Sequence, residues 1–206
     1  GYSVASDMTD PQPQVTNING SWTVPTVNVS KGESFCAVWI GVGGQFDETL
    51  IQAGTEQDSL NGLGTYSAWY ELLPYDAVTI DSLSISPGDK ITASISLLDS
   101  TTKTWSIEIH DATDGQSFQK NLVYDSSMLS AEWIIERPTV NNRISALADF
   151  GQVTFTGCTA TIGGKVGTIS SFPSIQVIMY NRQNIELVSV SPFTSDGSSF
   201  TVNYLD

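Results

Sequence analysis

Alternation narrows the fold of this chain more than any other property. Ile91, Ala93, Ile95 and Leu97 are separated by Thr92, Ser94 and Ser96, while Trp105, Ile107 and Ile109 alternate with Ser106, Glu108 and His110. A period of two puts the apolar members on one side of a pleated strand, as in an antiparallel sheet with one buried face. Turn-forming pairs punctuate these runs at Asn61-Gly62, Gly88-Asp89, Asp114-Gly115, Gly163-Gly164 and Asp196-Gly197, each suited to a tight connection. About fourteen strand candidates and no long amphipathic helix predict an all-β sandwich or barrel. With 40% hydrophobic residues the chain can bury a substantial core, and its length suits one domain over residues 1–206. The stretch 137–148 reads as the longest irregular segment.

Charge removes several function classes. Twenty-two Asp and Glu stand against eight Lys and Arg, which argues against nucleic acid and against an anionic membrane surface. No apolar run reaches the roughly 18 residues of a membrane-spanning helix. So few bases also limit positive self-repulsion once the carboxylates protonate, which suits an acidic medium. The chain starts at Gly1 rather than Met, as a processed or trimmed form would. Cys36 and Cys158 are the only cysteines; a disulfide and two buried thiols are equally consistent with them.

The chemistry that is missing matters as much. A serine or cysteine triad needs an imidazole base, and the single histidine, His110, falls on the polar face of its strand beside Ser106 and Glu108. No H-E-x-x-H or Cys/His cluster offers a metal site, and no Asp-Thr/Ser-Gly signature occurs. Any hydrolase built here works with carboxylates, amides, hydroxyls and backbone groups, with no metal or organic cofactor.

Four segments carry that possibility: Trp39-Ile40-Gly41, Ile51-Gln52-Ala53-Gly54-Thr55-Glu56, Tyr66-Ser67-Ala68-Trp69-Tyr70-Glu71 and Ala131-Glu132-Trp133-Ile134-Ile135-Glu136. In order and spacing they resemble the glutamic peptidases, the eqolisin family of acid endopeptidases, from about Trp22 to the C-terminus. The resemblance implies an antiparallel β-sandwich of two large sheets, jelly-roll or concanavalin A-like. It implies a catalytic dyad of Gln52 and Glu136, with Trp39, Glu56, Trp69 and Glu71 along the substrate cleft. It also implies a flap at Leu72-Leu73-Pro74-Tyr75-Asp76, expected to be mobile because Pro74 cannot donate to a ladder. The chain departs from the fungal pattern at Gly43 and Ser67, where relatives carry acids, at Leu73, where they carry a tyrosine, and at Pro138, where they carry an aromatic.

The chemistry fits those residue types. Water attack on a peptide needs a base and a donor for the developing oxyanion; a glutamate supplies the first and a glutamine amide the second. Without an imidazole, the base titrates near about 4.3, so such an enzyme belongs in acid. Taken singly, Gln52 and Glu136 read as polar residues on the solvent side of a sheet, and the tryptophans as core. The coincidence of Gln52 and Glu136 with the family pattern outweighs that reading for the dyad, while core packing stays the default for Trp39 and Trp69. Two rivals remain at this point. One is a carbohydrate-binding sandwich that stacks sugars on Trp39 and Trp69. The other is a jelly-roll glycosidase using Glu132 and Glu136, whose Cα atoms sit about 13 Å apart on a regular strand, against the 5–9.5 Å that carboxyl pairs in glycosidases need. The expected enzyme is a secreted monomer acting on protein and peptide substrates.

Overall fold

The computed structural model describes residues 1–140 and 142–205. Eighteen strands account for most of them, with one short 3₁₀ turn at Ile169–Ser171. Sixteen of the strands build two eight-stranded antiparallel sheets, as the alternation and the resemblance imply.

The first sheet runs, in spatial order, Ser174–Gln176, Tyr2–Ala5, Ser130–Glu136, Ala37–Gly43, Leu50–Leu60, Leu63–Leu72 and Val78–Thr79. The second runs Gln116–Val123, Thr104–Asp111, Lys90–Asp99, Val15–Thr23, Gln152–Ile162, Phe200–Tyr204 and Val188–Val190; the eighth member of each sheet lies off these paths, Glu33–Ser34 pairing with Leu50–Leu60 and Lys165–Thr168 with Gln152–Ile162. Hairpin neighbours alternate with pairs distant in sequence, such as Tyr2–Ala5 with Ser130–Glu136 and Val15–Thr23 with Gln152–Ile162, as in a jelly-roll-like sandwich.

Between the sheets lies the main core. Ile91, Ala93, Ile95, Trp105, Ile107 and Ile109 enter it from the second sheet; Val38, Ile40, Val42, Ile51, Ala53, Ala131, Trp133 and Ile135 meet them from the first. Buried polar tips are satisfied there: Trp22 donates to Thr55 Oγ1 at 3.0 Å, and Trp133 to the carbonyl of Asn19 at 2.9 Å. His110 is exposed, its Nδ1 2.9 Å from Ser117 Oγ, as its place in the alternation requires. Cys36 and Cys158 are both buried free thiols, which decides between the two expectations for them.

One expectation fails. Within 137–148, Thr139–Val140 pairs antiparallel with Arg143–Ile144, so the segment is a short ribbon and not simply irregular; Asn141 lies outside the described residues. Two β-branched residues, Thr139 and Val140, are the local signal for it.

Candidate active site

The Leu50–Leu60 strand can place chemistry because the first sheet turns one face to the core and sets polar rows on either side of an apolar row on the other. Its odd-numbered residues from Ile51 to Gln57 face the sandwich core; the even-numbered ones face outward. Register aligns three rows on that outer face. Glu132, Gly41, Gln52 and Glu71 oppose one another in turn; Ile134, Trp39, Gly54 and Trp69 form the next row; Glu136, Ala37, Glu56 and Ser67 form the third. Directly opposed residues share a face, so Gln52 and Glu136 point to the same side, flanking the Trp39–Gly54–Trp69 row.

That middle row is a second, smaller apolar cluster of Ala37, Trp39, Leu50, Trp69 and Ile134, separate from the main core. Gly54 is obligatory in it. A Cβ there would lie 2.1 Å from the Val38 carbonyl oxygen and 2.7 Å from Trp39 Cβ. Trp39 and Trp69 are 4% and 7% exposed, too covered to offer a face to a sugar ring. This removes the stacking platform that the carbohydrate-binding rival needs.

Over this row opens a cleft of about 540 Å³, whose wall includes Gln52, Glu56, Trp69, Glu71 and Glu136. Five of the six residues expected at the site therefore meet in one groove. The sixth, Trp39, lies outside the wall. Its indole N–H favours the ionised form of Glu136 but stops short of hydrogen-bond geometry and meets no other acceptor. The wall also holds Asp76, Thr79 and the ribbon residues Thr139 and Val140. Sequence reasoning missed their part, although Asp76 lay in the segment read as a flap.

Gln52 is only 4% exposed, contrary to the solvent-side reading of it alone. Its Nε2 donates to Glu71 Oε2, while its Oε1 is buried without a donor. The carboxylate thus fixes the amide orientation, and the second N–H of the amide group remains for another acceptor.

Electrostatically the cleft is acidic and lacks a counter-charge in its wall. Burial pushes the Glu136 carboxyl up to about 7; the charge of Glu71 adds to this, the Trp39 N–H opposes it, and Glu56 contributes last. Glu71 is also raised, by burial first, against the Gln52 hydrogen bond and together with Asp76. Burial raises Glu56 as well. Beneath them, burial and then the Glu56 charge push Asp58 up to about 7, although it accepts the Cys36 N–H at 3.2 Å. The sequence-based expectation that the base would titrate near the free-carboxylate value does not survive this desolvation.

Glu132 stands apart. It is 5% exposed and absent from the cleft wall; its Oε1 accepts the Ser130 and Ser3 hydroxyls at 3.1 and 3.4 Å. Its strand pairs without a bulge from Ala131 to Glu136, so the two glutamates keep their i,i+4 separation. The glycosidase rival loses both its geometry and its second carboxylate.

The flap joins the Leu63–Leu72 strand to Val78–Thr79. Its base is tied, with Leu73 N–H donating to the Leu50 carbonyl at 3.0 Å and Tyr124 Oη donating to the Leu73 carbonyl at 2.8 Å. Residues 74–79 are exposed.

The pattern of the Peptidase A4 family matches residues 5–204. The chain belongs to this family. Among the glutamic peptidases, aspergillopepsin-2 of Aspergillus niger is 32% identical over 215 residues, spanning 92% of this chain and 73% of its own. Scytalidopepsin B of Scytalidium lignicola is 30% identical over 187 residues, spanning 84% and 70%. In fold, scytalido-glutamic peptidase with a transition-state analogue inhibitor superposes with a TM-score of 0.81 over 99% of this chain and 96% of its own, at 23% identity. The crystal structure of aspergilloglutamic peptidase from Aspergillus niger gives 0.73 over 84% and 99%, at 29% identity.

One departure from the glutamic peptidase pattern has a local cause. Gly43 takes φ of +95°, and a Cβ there would sit 2.2 Å from the Thr49 carbonyl oxygen. No acidic side chain fits that turn.

Proposed function

We propose that the chain is an acid-acting endopeptidase in which Glu136 activates water and Gln52 holds the oxyanion. The observation that carries this reading is the shared cleft: an oriented amide and a desolvated carboxyl face the same groove across an apolar floor. Scytalido-glutamic peptidase has been solved with a peptide-based transition-state analogue, and SCP-B, a member of the eqolisin family, with the tripeptide Ala-Ile-His. Both support protein and peptide substrates for this chain.

The raised carboxyl shapes the mechanism. At a value of about 7, Glu136 enters the reaction in acid as a neutral group. Its carbonyl oxygen takes a proton from the attacking water while its hydroxyl gives one to the substrate carbonyl. Oxygen binds carbon, the C=O π bond opens, and Glu136 is neutral again. The free N–H of Gln52 holds the negative charge that develops on the carbonyl oxygen during attack and then the resulting gem-diol. Collapse reverses the roles: Glu136 protonates the departing nitrogen, takes a proton from one diol hydroxyl, and the C–N bond breaks. Protons balance at both steps, and no fixed positive charge is needed. Glu71 serves as the positioning residue for Gln52.

Replacing Glu136 with Gln is expected to abolish cleavage of denatured casein in acid. Gln52→Ala costs about 10²–10³-fold, as for other oxyanion donors. Circular dichroism verifies that both variants fold. The pH profile tests the protonation state: kcat/KM should stay level through the acid range and fall as pH rises through about 7. A rate that climbs towards neutrality would mean that the ionised carboxylate acts instead. Full activity in folded Glu136→Gln would remove the dyad altogether.

The same reading makes residues 1–206 one catalytic domain, monomeric and working outside the cell in an acidic medium. It is supported by the scarcity of bases and the raised carboxyls. Among the described residues no helix is long and apolar enough to cross a membrane.

A further inference from the structure

Away from the cleft, at one end of the second sheet, two turns bring three aspartates together. One carboxylate oxygen each from Asp89, Asp111 and Asp114 lies within 4.8 Å of the others. Asp89 and Asp111 are 5% and 0% exposed, while Asp114 is open to solvent. Among the described residues no lysine, arginine or histidine forms an ion pair with any of them; the one ion pair found joins Lys103 and Asp125.

Asp111 decides how the group is to be understood. Its Oδ1 accepts the Thr113 N–H at 2.8 Å, but its Oδ2 is fully buried and, among the described residues, meets no donor unless the Asp89 carboxyl beside it holds a proton. A buried carboxylate oxygen left unsatisfied is destabilising, so something outside the protein is expected to meet it. Backbone bonds lock the surrounding frame. Val24 N–H donates to the Asp89 carbonyl at 2.8 Å, Ala112 N–H to the Lys90 carbonyl at 2.9 Å, and Lys90 N–H to Thr113 Oγ1 at 2.9 Å.

We propose that Asp89, Asp111 and Asp114 form a structural calcium site that pins the 86–89 turn to the 111–115 turn. Two oxygens that share one Ca²⁺ at about 2.3–2.6 Å are at most roughly 5 Å apart, which accommodates the observed spread. Purely oxygen donors select a hard cation, and a set of three carboxylates topped up by water suits the loose coordination of calcium better than the strict octahedron of magnesium. The ion takes no part in peptide hydrolysis. It neutralises charge that has no counter-ion among the described residues, and protons compete with it for the same oxygens. In strong acid, protons replace the metal.

Thermal unfolding of the full chain tests this at about pH 6.5, with about 10 mM calcium chloride against the same concentration of EGTA. For a site of the millimolar class, calcium should raise Tm by about 3–10 °C. Magnesium at the same concentration should give a smaller rise, and near pH 3 calcium should give none. Asp114→Asn, an exposed change that leaves the fold alone, should weaken the calcium response, and Asp111→Asn should abolish it. Calorimetric titration with calcium alone should show one site per chain in the wild type. Three outcomes overturn the proposal: no calcium-dependent shift in the wild type, an equal shift in wild type and both variants, or a raised Tm in Asp111→Asn where the wild type ignores calcium. The last would mean that Asp89 and Asp111 share a proton instead.

Discussion

Glu132 gives the sharpest quantitative expectation. Its carboxyl is buried, accepts two serine hydroxyls and is pushed up to about 8, by burial above all. In the unfolded chain it titrates near its ordinary value of 4.5. Between those values the folded protein holds a proton that the unfolded chain has released, so stability falls as pH rises. The contribution is fully present below about 4.5 and is lost progressively as pH climbs through about 8. At pH 7 the unfolded form is ahead by roughly 2.5 pK units, equivalent to about 3 kcal/mol. Glu132→Gln keeps an oxygen for the Ser130 and Ser3 hydroxyls but cannot ionise. It should match the wild type near pH 4 and exceed it by about 3 kcal/mol near pH 7, which is about 6–12 °C in Tm for a domain of this size. Urea denaturation at both pH values measures the difference directly. Because Glu132 is absent from the cleft wall, proteolysis in acid should be unchanged. A stability difference that is the same at pH 4 and pH 7 would refute the reasoning.

Glu71→Ala removes the acceptor that orients the Gln52 amide; kcat should drop about 10–100-fold with KM less affected, as read from steady-state cleavage of a fluorogenic peptide. Gly54→Ala drives a methyl group into the Val38 carbonyl and Trp39, and should cost more than about 3 kcal/mol by urea denaturation. Reducing agents should leave Tm unchanged, since Cys36 and Cys158 are separate thiols; a drop on reduction would contradict that. Asp58→Asn should raise stability near pH 7 and leave it unaltered near pH 4, because the carboxyl it replaces is lifted to about 7 and loses its stabilising proton as pH rises.

Much of the fold was legible because period-two alternation states which residues face inward, and Trp105, Ile107 and Ile109 obey it. The outer face of the first sheet was harder. Ala131-Glu132-Trp133-Ile134-Ile135-Glu136 looks almost uniformly buried, and periodicity cannot tell which apolar residues enter the inter-sheet core and which floor a cleft. Trp39 and Trp69 were correctly suspected of packing, but they pack in a second cluster that only the pairing register defines. The elevation of Glu136 was invisible for a related reason. Desolvation depends on Glu56, Glu71 and the wall around them, which arrive from other parts of the chain. The aspartate group at residues 89, 111 and 114 was likewise hidden, each member looking like an ordinary turn residue.

Gln52 and Glu136 become neighbours only through an intervening ribbon, Ala37–Gly43, hydrogen-bonded to both of their strands. On the proposed mechanism, hydrolytic power is therefore a property of the completed sandwich and of no fragment of it. A chain still being synthesised has not yet joined the three, and one that opens at neutral pH pulls them apart. In either condition the molecule is disarmed, since cleavage on this mechanism needs all three ribbons joined.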